Sequence, residues 1–188
     1  MTSFQAFIFE PSNFFRAARR QWKVAYLNLM LMSILLGIAQ AAILIPKEKF
    51  DIFAALSGAA VVTTILVIFS FLSTLGILVI MNHYHKTDWF GRISAVCAYA
   101  TTIIPFYGII LSVLRLLDFV VSPAKSTPTF YILSIILFFV AVVHLVVLHA
   151  IGLSIFYNCT RQTAYKYVIA PLVFLVVAIL VLVAFFAL

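Results

Sequence analysis

The sequence predicts an all-α membrane protein, a helical bundle of five transmembrane helices preceded by a short amphipathic helix at the membrane interface. Hydrophobic residues make up 66% of the 188-residue chain and charged residues only 9%, whereas soluble domains average about 45–50% and about 25%. The apolar residues form long runs, and a run of about 20 is enough to cross a bilayer as a helix. Basic side chains are grouped between these runs, as is typical of membrane proteins. Lipid is therefore expected to surround most of the chain.

The chain divides into two predicted units. Residues 1–23 form a cytoplasmic, interfacial amphipathic segment, and residues 24–188 form the transmembrane domain. The spans expected in that domain cover residues 24–45, 53–81, 93–120, 131–157 and 167–188. Pro105 and Pro171 fall within the third and fifth spans, where proline is expected to break or kink the helix.

A stripe of small residues on the first span predicts a face that packs against another helix. Ser33, Gly37 and Ala41 recur every four residues, and small side chains at this spacing let two transmembrane helices approach closely.

The basic residues between the spans predict the orientation of the protein. The larger group comprises Arg16, Arg19, Arg20, Lys23, Lys86, Arg92, Arg161 and Lys166, and the smaller group comprises Lys47, Lys49 and Lys125. Because the side richer in Lys and Arg stays in the cytoplasm, the amino terminus is expected there and the carboxyl terminus outside the cell membrane. The net charge of +7 is therefore interpreted as a topology signal and a contact with anionic lipid headgroups. Nucleic-acid binding is not expected.

The segment before the first span is predicted to be an amphipathic helix. Its cationic face consists of Arg16, Arg19, Arg20 and Lys23, and its opposite face of Phe14, Phe15, Ala18 and Trp22. Such a helix is expected to lie in the headgroup plane, with its aromatic side chains in lipid and its basic side chains on phosphates. It either anchors the protein or recruits a cytoplasmic partner or an anionic lipid.

Four polar residues within the apolar runs form a candidate intramembrane polar site. Arg115 and Asp118 are three residues apart and share one helix face, so they form either a structural ion pair or part of a functional site. His144 and His149 are roughly 140° apart on the fourth span. Each is expected to hydrogen-bond a neighbouring helix, or else His144 is a proton-relay or substrate-binding group that lines a cavity.

No pattern in the sequence predicts catalysis, a cofactor or a bound metal. A nucleophile elbow, a phosphate-binding loop and a His-Glu-x-x-His sequence are all absent. His83, His85 and Asp88 lack a fourth ligand, so a solvated connector is expected there. Cys97 and Cys159 lack Cys-x-x-Cys spacing. The protein is therefore predicted not to be an enzyme.

The overall layout is similar to that of a known family. An aromatic and proline-containing element precedes a basic amphipathic turn and five spans, and the third span opens with a small, aromatic run that ends in proline. The residues that carry this layout are Phe7 or Phe9, Pro11, Phe15, Tyr99 and Pro105. It resembles the Yip1-domain family, in particular its short prokaryotic members, over nearly the whole chain.

This resemblance implies a bacterial or archaeal inner-membrane protein without a defined activity. Eukaryotic members of the family carry a longer cytosolic amino-terminal region and are associated with Rab-type GTPases and vesicle traffic. Only about twenty residues precede the first span in this chain, so it departs from the family at the region that such an association would use.

Two functions remain open on sequence grounds. The first is a non-enzymatic membrane scaffold or organiser that works through helix packing and its basic amino-terminal segment. It predicts that removal of residues 1–23 abolishes function and that His144→Ala is tolerated. The second is a transporter or channel for an ion, lipid or metabolite, acting as a homodimer or larger oligomer. It predicts a polar cavity on which Arg115, Asp118, His144 and His149 converge.

Overall fold

The computed structural model describes residues 7–17, 22–42, 52–83, 90–121, 127–171 and 173, and this part of the chain is helical with no β-strand. Its helices are α1 (Pro11–Ala17), α2 (Trp22–Ala42), α3 (Ile52–His83), α4 (Phe90–Thr101), α5 (Ile103–Val121), α6 (Pro128–Tyr157) and α7 (161–171). The prediction of an all-α fold is confirmed for these residues.

Among the residues that the structure describes, four segments are long and apolar enough to cross a membrane. They are Trp22–Ala42, Leu56–Met81, Phe90–Val121 and Pro128–Tyr157, which correspond to the first four predicted spans. The predicted fifth span, 167–188, falls mostly outside the described residues, and only its first turns belong to α7. The fourth span begins at Pro128, three residues earlier than predicted, because the Thr127 side chain caps it by accepting a hydrogen bond from the Phe130 amide.

The third span consists of two helices, α4 and α5, separated at Thr102. The Thr102 amide donates to the carbonyls of Ala98 (3.2 Å) and Tyr99 (3.1 Å), and a new helix begins at Ile103. The sequence predicted a break at Pro105, and the observed break lies three residues before it. Two properties of proline explain this difference in position. Proline is tolerated in the first turn of a helix, so a new helix can begin before it. It also has no N–H, so the carbonyl four residues earlier loses its amide donor.

α4 occupies the centre of the bundle. All residues from 93 to 103 are buried, and α4 packs against α2, α3 and α6. Its small side chains, among them Ala95, Ala98 and Ala100, allow helices to approach on every side. The predicted packing face on α2 is also confirmed, because Ser33, Gly37 and Ala41 are buried and Gly37 lies directly against Ala59 of α3.

The amino-terminal helix α1 packs against the carboxyl-terminal half of α6. Phe15 is 0% exposed and makes edge-to-face contacts with Tyr99 (6.3 Å between ring centroids) and Phe156 (6.2 Å). The prediction that Phe15 lies in lipid is therefore wrong. Gly152 of α6 has no side chain, and the ring of Phe15 fills the space above it. Phe15 is therefore buried against protein.

The cationic face is only partly within the described residues. Arg16 is exposed at the end of α1, and Lys23 is exposed at the start of α2. Arg19 and Arg20 lie outside the described ranges. Trp22, which the sequence placed on the same helix as Phe15, belongs to α2 and is partly exposed.

Candidate functional site

Arg115 and Asp118 join the two arms of the α5–α6 hairpin. Arg115 Nη1 lies 3.3 Å from Asp118 Oδ2, and the guanidinium carbon lies 4.8 Å from the centre of the Phe130 ring on α6. The Thr127 amide donates to Asp118 Oδ1 (3.2 Å) and Oδ2 (3.3 Å), and the Thr127 hydroxyl also donates to Oδ1. Because Asp118 both pairs with Arg115 and binds the residue that caps α6, we call Arg115, Asp118, Thr127 and Phe130 the hairpin clasp.

His144 hydrogen-bonds a neighbouring helix, as one of the two predictions for it stated. Its Nδ1 lies 3.3 Å from the Tyr107 hydroxyl of α5, and the two rings meet edge to face with centroids 6.0 Å apart. His144 also lines a shallow groove on α6 together with Phe139, Val140, Val143 and Val147. The groove is otherwise apolar, so a substrate there would meet one polar side chain on an apolar wall.

His149 is fully buried and bonds within its own helix. Its Nδ1 lies 2.8 Å from the Leu145 carbonyl oxygen, so Nδ1 carries the proton and donates it. Nε2 is then an acceptor, and it has no hydrogen-bond partner among the residues the structure describes. The prediction of a bond to another helix therefore does not hold for His149.

The four predicted residues do not come together in one cavity. Along α5, Tyr107 is eleven residues from Asp118, which corresponds to about 16 Å at the helical rise of about 1.5 Å per residue. His144 is therefore far from the hairpin clasp. His149 lies a further five residues along α6 and points into the packed interior. The predicted convergence of these groups on a polar cavity is thus wrong: they occupy three separate environments.

A second groove lies beside Lys23, at the start of α2. Trp22, Tyr26, Phe71 and Phe90 are among its lining residues, and the Ser94 hydroxyl within it donates to the Tyr26 hydroxyl at 3.1 Å. The Lys23 ammonium lies 5.7 Å from the centre of the Trp22 ring. Aromatic rings beside a cation are typical of the level of the lipid headgroups.

Sequence reasoning missed a group of hydroxyls in the middle of the bundle. Ser70, Ser73, Thr74, Thr101 and Thr102 are all buried. The signal in the sequence is the Ser-x-x-Ser-Thr spacing at 70–74, a polar set at helical spacing within an apolar run.

Within the described ranges, no three His, Cys, Asp or Glu side chains lie close enough to hold a metal ion. His85 and Asp88 fall outside those ranges. The chain matches no protein-family model, no curated protein and no solved structure.

Proposed function

We propose that the protein is a non-enzymatic, multi-pass membrane scaffold that displays a fixed basic surface to a cytoplasmic partner. The observation that carries this proposal is the burial of Phe15 between α4 and α6. Because Phe15 belongs to the core, α1 is held against the bundle, and Arg16 at its end faces outward from a defined position. A basic segment held in this way suits recognition of an acidic protein surface or an anionic headgroup.

The polar residues within the spans support the same function. Asp118 and Arg115 bind each other and the hairpin connection, His144 binds Tyr107, and His149 bonds its own helix. The contacts of Asp118, Arg115 and His144 link α5 to α6 or to the connection between them, and the bond of His149 stays within α6. The proposal includes five spans, an amino terminus in the cytoplasm and a location in a bacterial or archaeal inner membrane. Its likeness to the Yip1-domain family rests on the sequence layout alone.

The burial of Phe15 changes how this function has to be tested. Removal of residues 1–23 would delete a core side chain together with the basic residues, so loss of function would not separate partner binding from folding. Charge substitutions avoid this problem, because Arg16 and Lys23 are exposed. Lys166, an exposed residue of α7 on the proposed cytoplasmic side, provides a control in which one positive charge is removed from a different element.

The test is native mass spectrometry of the protein released in mild detergent from its own membrane. A stoichiometric protein partner is expected with the wild-type chain, and its occupancy is expected to fall by on the order of tenfold in the Arg16→Gln, Lys23→Gln double variant, because two charged contacts are lost. The Lys166→Gln variant is expected to keep the partner. A wild-type chain released without any partner, or a partner kept equally by all three proteins, would contradict the proposal.

A transporter or channel is the second candidate. The four residues first expected to form its cavity do not support it. Two other features favour it: the break of the third span at Thr102, and the buried hydroxyls of Ser70 and Ser73 on α3 and Thr101 on α4. Broken helices at membrane depth are found where the backbone lines a cavity or binds an ion.

A further inference from the structure

Three hydroxyl groups in the interior of the bundle lack hydrogen-bond partners. Ser70 is 0% exposed, Ser73 4% and Thr101 0%, and no partner for their side-chain oxygens exists in the described part of the chain. A buried hydroxyl without a hydrogen bond is costly, and each such group in a folded protein calls for an explanation.

The neighbouring hydroxyls are satisfied by their own helices. Thr74 donates to the Ser70 carbonyl at 2.8 Å, Thr102 donates to the Ala98 carbonyl at 2.9 Å, and Ser33 donates to the Leu29 carbonyl at 2.7 Å. This bond to the carbonyl four residues earlier is the usual way for Ser and Thr in a helix to be buried. Ser70, Ser73 and Thr101 do not adopt it.

The pairing of α3 with α4 brings the three hydroxyls to within about one helical turn of one another along the bundle. The Thr74 side chain lies beside the Cys97 thiol. Thr74 lies nine residues before the end of α3 and Cys97 seven residues after the start of α4, as expected for two antiparallel helices. Ser70 is one turn before Thr74, and Thr101 is one turn after Cys97. In an antiparallel pair both steps lead about 6 Å in the same direction, so Ser70 and Thr101 lie at matching levels of α3 and α4. Ser73 is three residues after Ser70, which places it about 4.5 Å from that level and within one turn of Ser70 on α3.

A backbone oxygen lies at the same place. In an unbroken helix the Thr101 carbonyl would accept a hydrogen bond from the amide of residue 105, but Pro105 has no N–H. The helix ends at Thr101, and α5 begins two residues later. The carbonyl end of a helix carries a partial negative charge, which here lies within the third span, on the same residue as the Thr101 hydroxyl.

Together these groups supply four oxygen atoms and no formal charge. Oxygen ligands select hard cations. Glu10 is exposed and accepts a bond from Asn13, and Asp118 belongs to the hairpin clasp, so neither carboxylate of the described residues is near. The cost of removing an ion from water is large even for a single charge, and a divalent ion would need carboxylates to offset it. A neutral set of oxygens at a helix break therefore fits a monovalent cation.

We propose that Ser70, Ser73 and Thr101 form a binding site for a monovalent cation, with Na⁺ as its probe, at the break between α4 and α5. The side-chain oxygens of all three residues and the Thr101 carbonyl are the ligands. The site is independent of the scaffold function proposed above, because it uses neither α1 nor the basic residues. A bound cation would fix the geometry of the break and hold α3 against α4.

The test is the thermal stability of the purified full-length protein in detergent. NaCl is expected to raise the melting temperature in a saturable way, relative to N-methyl-D-glucamine chloride at the same ionic strength. Thr101→Val and Ser70→Ala each remove one ligand, and each is expected to raise the Na⁺ concentration for half-maximal stabilisation by on the order of tenfold, the factor that corresponds to one lost contact with a charged group.

Two further variants make this test decisive. Ser33→Ala removes a buried hydroxyl that is already bonded to its own helix, so the Na⁺ response is expected to stay unchanged. Thr101→Ser keeps the hydroxyl and is expected to keep the response if Thr101→Val fails to fold. Equal melting temperatures in the two salts would overturn the proposal. An Na⁺ response that is the same in Ser70→Ala as in wild type would also overturn it. Variants that melt higher than wild type in both salts would overturn it as well, because the hydroxyls would then be unsatisfied groups that bind no ion.

Discussion

Gly152 is the residue at which three elements of the fold meet. A Cβ atom at this position would lie 2.7 Å from Val96 Cγ1 of α4 and 3.1 Å from Phe15 Cε1 of α1. The absence of a side chain is thus what allows α1, α4 and α6 to pack together. The contact also explains why Phe15 is buried, because the ring occupies space that any other residue at position 152 would fill.

Burial of Phe15 could not be predicted from the amphipathic pattern alone. The aromatic residues opposite the basic face indicate an apolar environment, and both lipid and a protein core are apolar. The distinguishing signal is Gly152, the single glycine of the predicted fourth span. Its partner on α1 is more than 130 residues away in the sequence, and no local pattern connects the two.

Gly152→Ala is therefore expected to destabilise the protein by about 1–3 kcal/mol, the cost of inserting a methyl group into a packed core. The measurement is the melting temperature in detergent, combined with the protease sensitivity of the segment before α2. Both are expected to change, because the added methyl group displaces Phe15 and with it α1.

Gly58 provides the matched control for this substitution. It lies on α3, and an alanine Cβ at this position would have no atom within 4 Å, so Gly58→Ala is expected to be neutral or to stabilise the helix by up to about 1 kcal/mol. A Gly152→Ala protein that melts with the wild type and keeps α1 protected would contradict the packing described here.

The α5–α6 hairpin is the element whose contacts the sequence predicted most fully. The spacing of Arg115 and Asp118 predicted a shared face, and the structural ion pair is present at 3.3 Å. The contribution of Thr127 could not be predicted, because it lies nine residues from Asp118 across a connection whose path the sequence does not specify. The break at Thr102 was predicted only approximately, since Pro105 allows the helix to restart before it.

Thr127→Val is expected to loosen the start of α6 by about 1 kcal/mol, the usual loss for a helix cap. The variant loses the bond from the Phe130 amide and the bond to Asp118 at once. Hydrogen–deuterium exchange of the amides in the first turn of α6 is expected to become about fivefold faster, which is the factor that corresponds to this free energy.

Thr129→Val is the control for the hairpin clasp. Thr129 is an exposed residue of the same helical turn, and its replacement is expected to leave the exchange rates unchanged. Equal acceleration in both variants would mean that β-branched apolar residues disturb this turn in general, and the role assigned to Thr127 would then be wrong.

The molecule as a whole contains a dense core and a more exposed hairpin. α2, α3 and α4 pack on one another, and α4 also packs on the carboxyl-terminal half of α6, whereas the end of α5 (113–121) and the first half of α6 (131–143) carry many exposed apolar side chains. The apolar composition is compatible with so many exposed apolar side chains, because almost any apolar side chain suits lipid. It could not predict that α4 is buried on all sides, since a helix that is apolar or small on all sides could equally face lipid.

The path of α7 bears on the number of spans. Ala164, Tyr167 and Val168 pack with Ile77 and Met81 of α3, and Pro171 lies against Gly76. α7 therefore runs antiparallel to α3, starting from the α3 end that is proposed to be cytoplasmic. The predicted fifth span, 167–188, starts within α7, and as a helix it would measure about 33 Å, close to the hydrocarbon thickness of about 30 Å.

This length predicts that the two termini lie on opposite sides of the membrane. Single cysteines are introduced at Thr2 and after Leu188 in a background with Cys97→Ala and Cys159→Ser, and intact cells are treated with a membrane-impermeant maleimide. The carboxyl-terminal cysteine is expected to react in intact cells and the amino-terminal one only after permeabilisation. Reaction of both cysteines under the same condition would mean an even number of spans. In that case α7 would turn back after Pro171, and the orientation inferred from the basic residues would hold for the amino terminus alone.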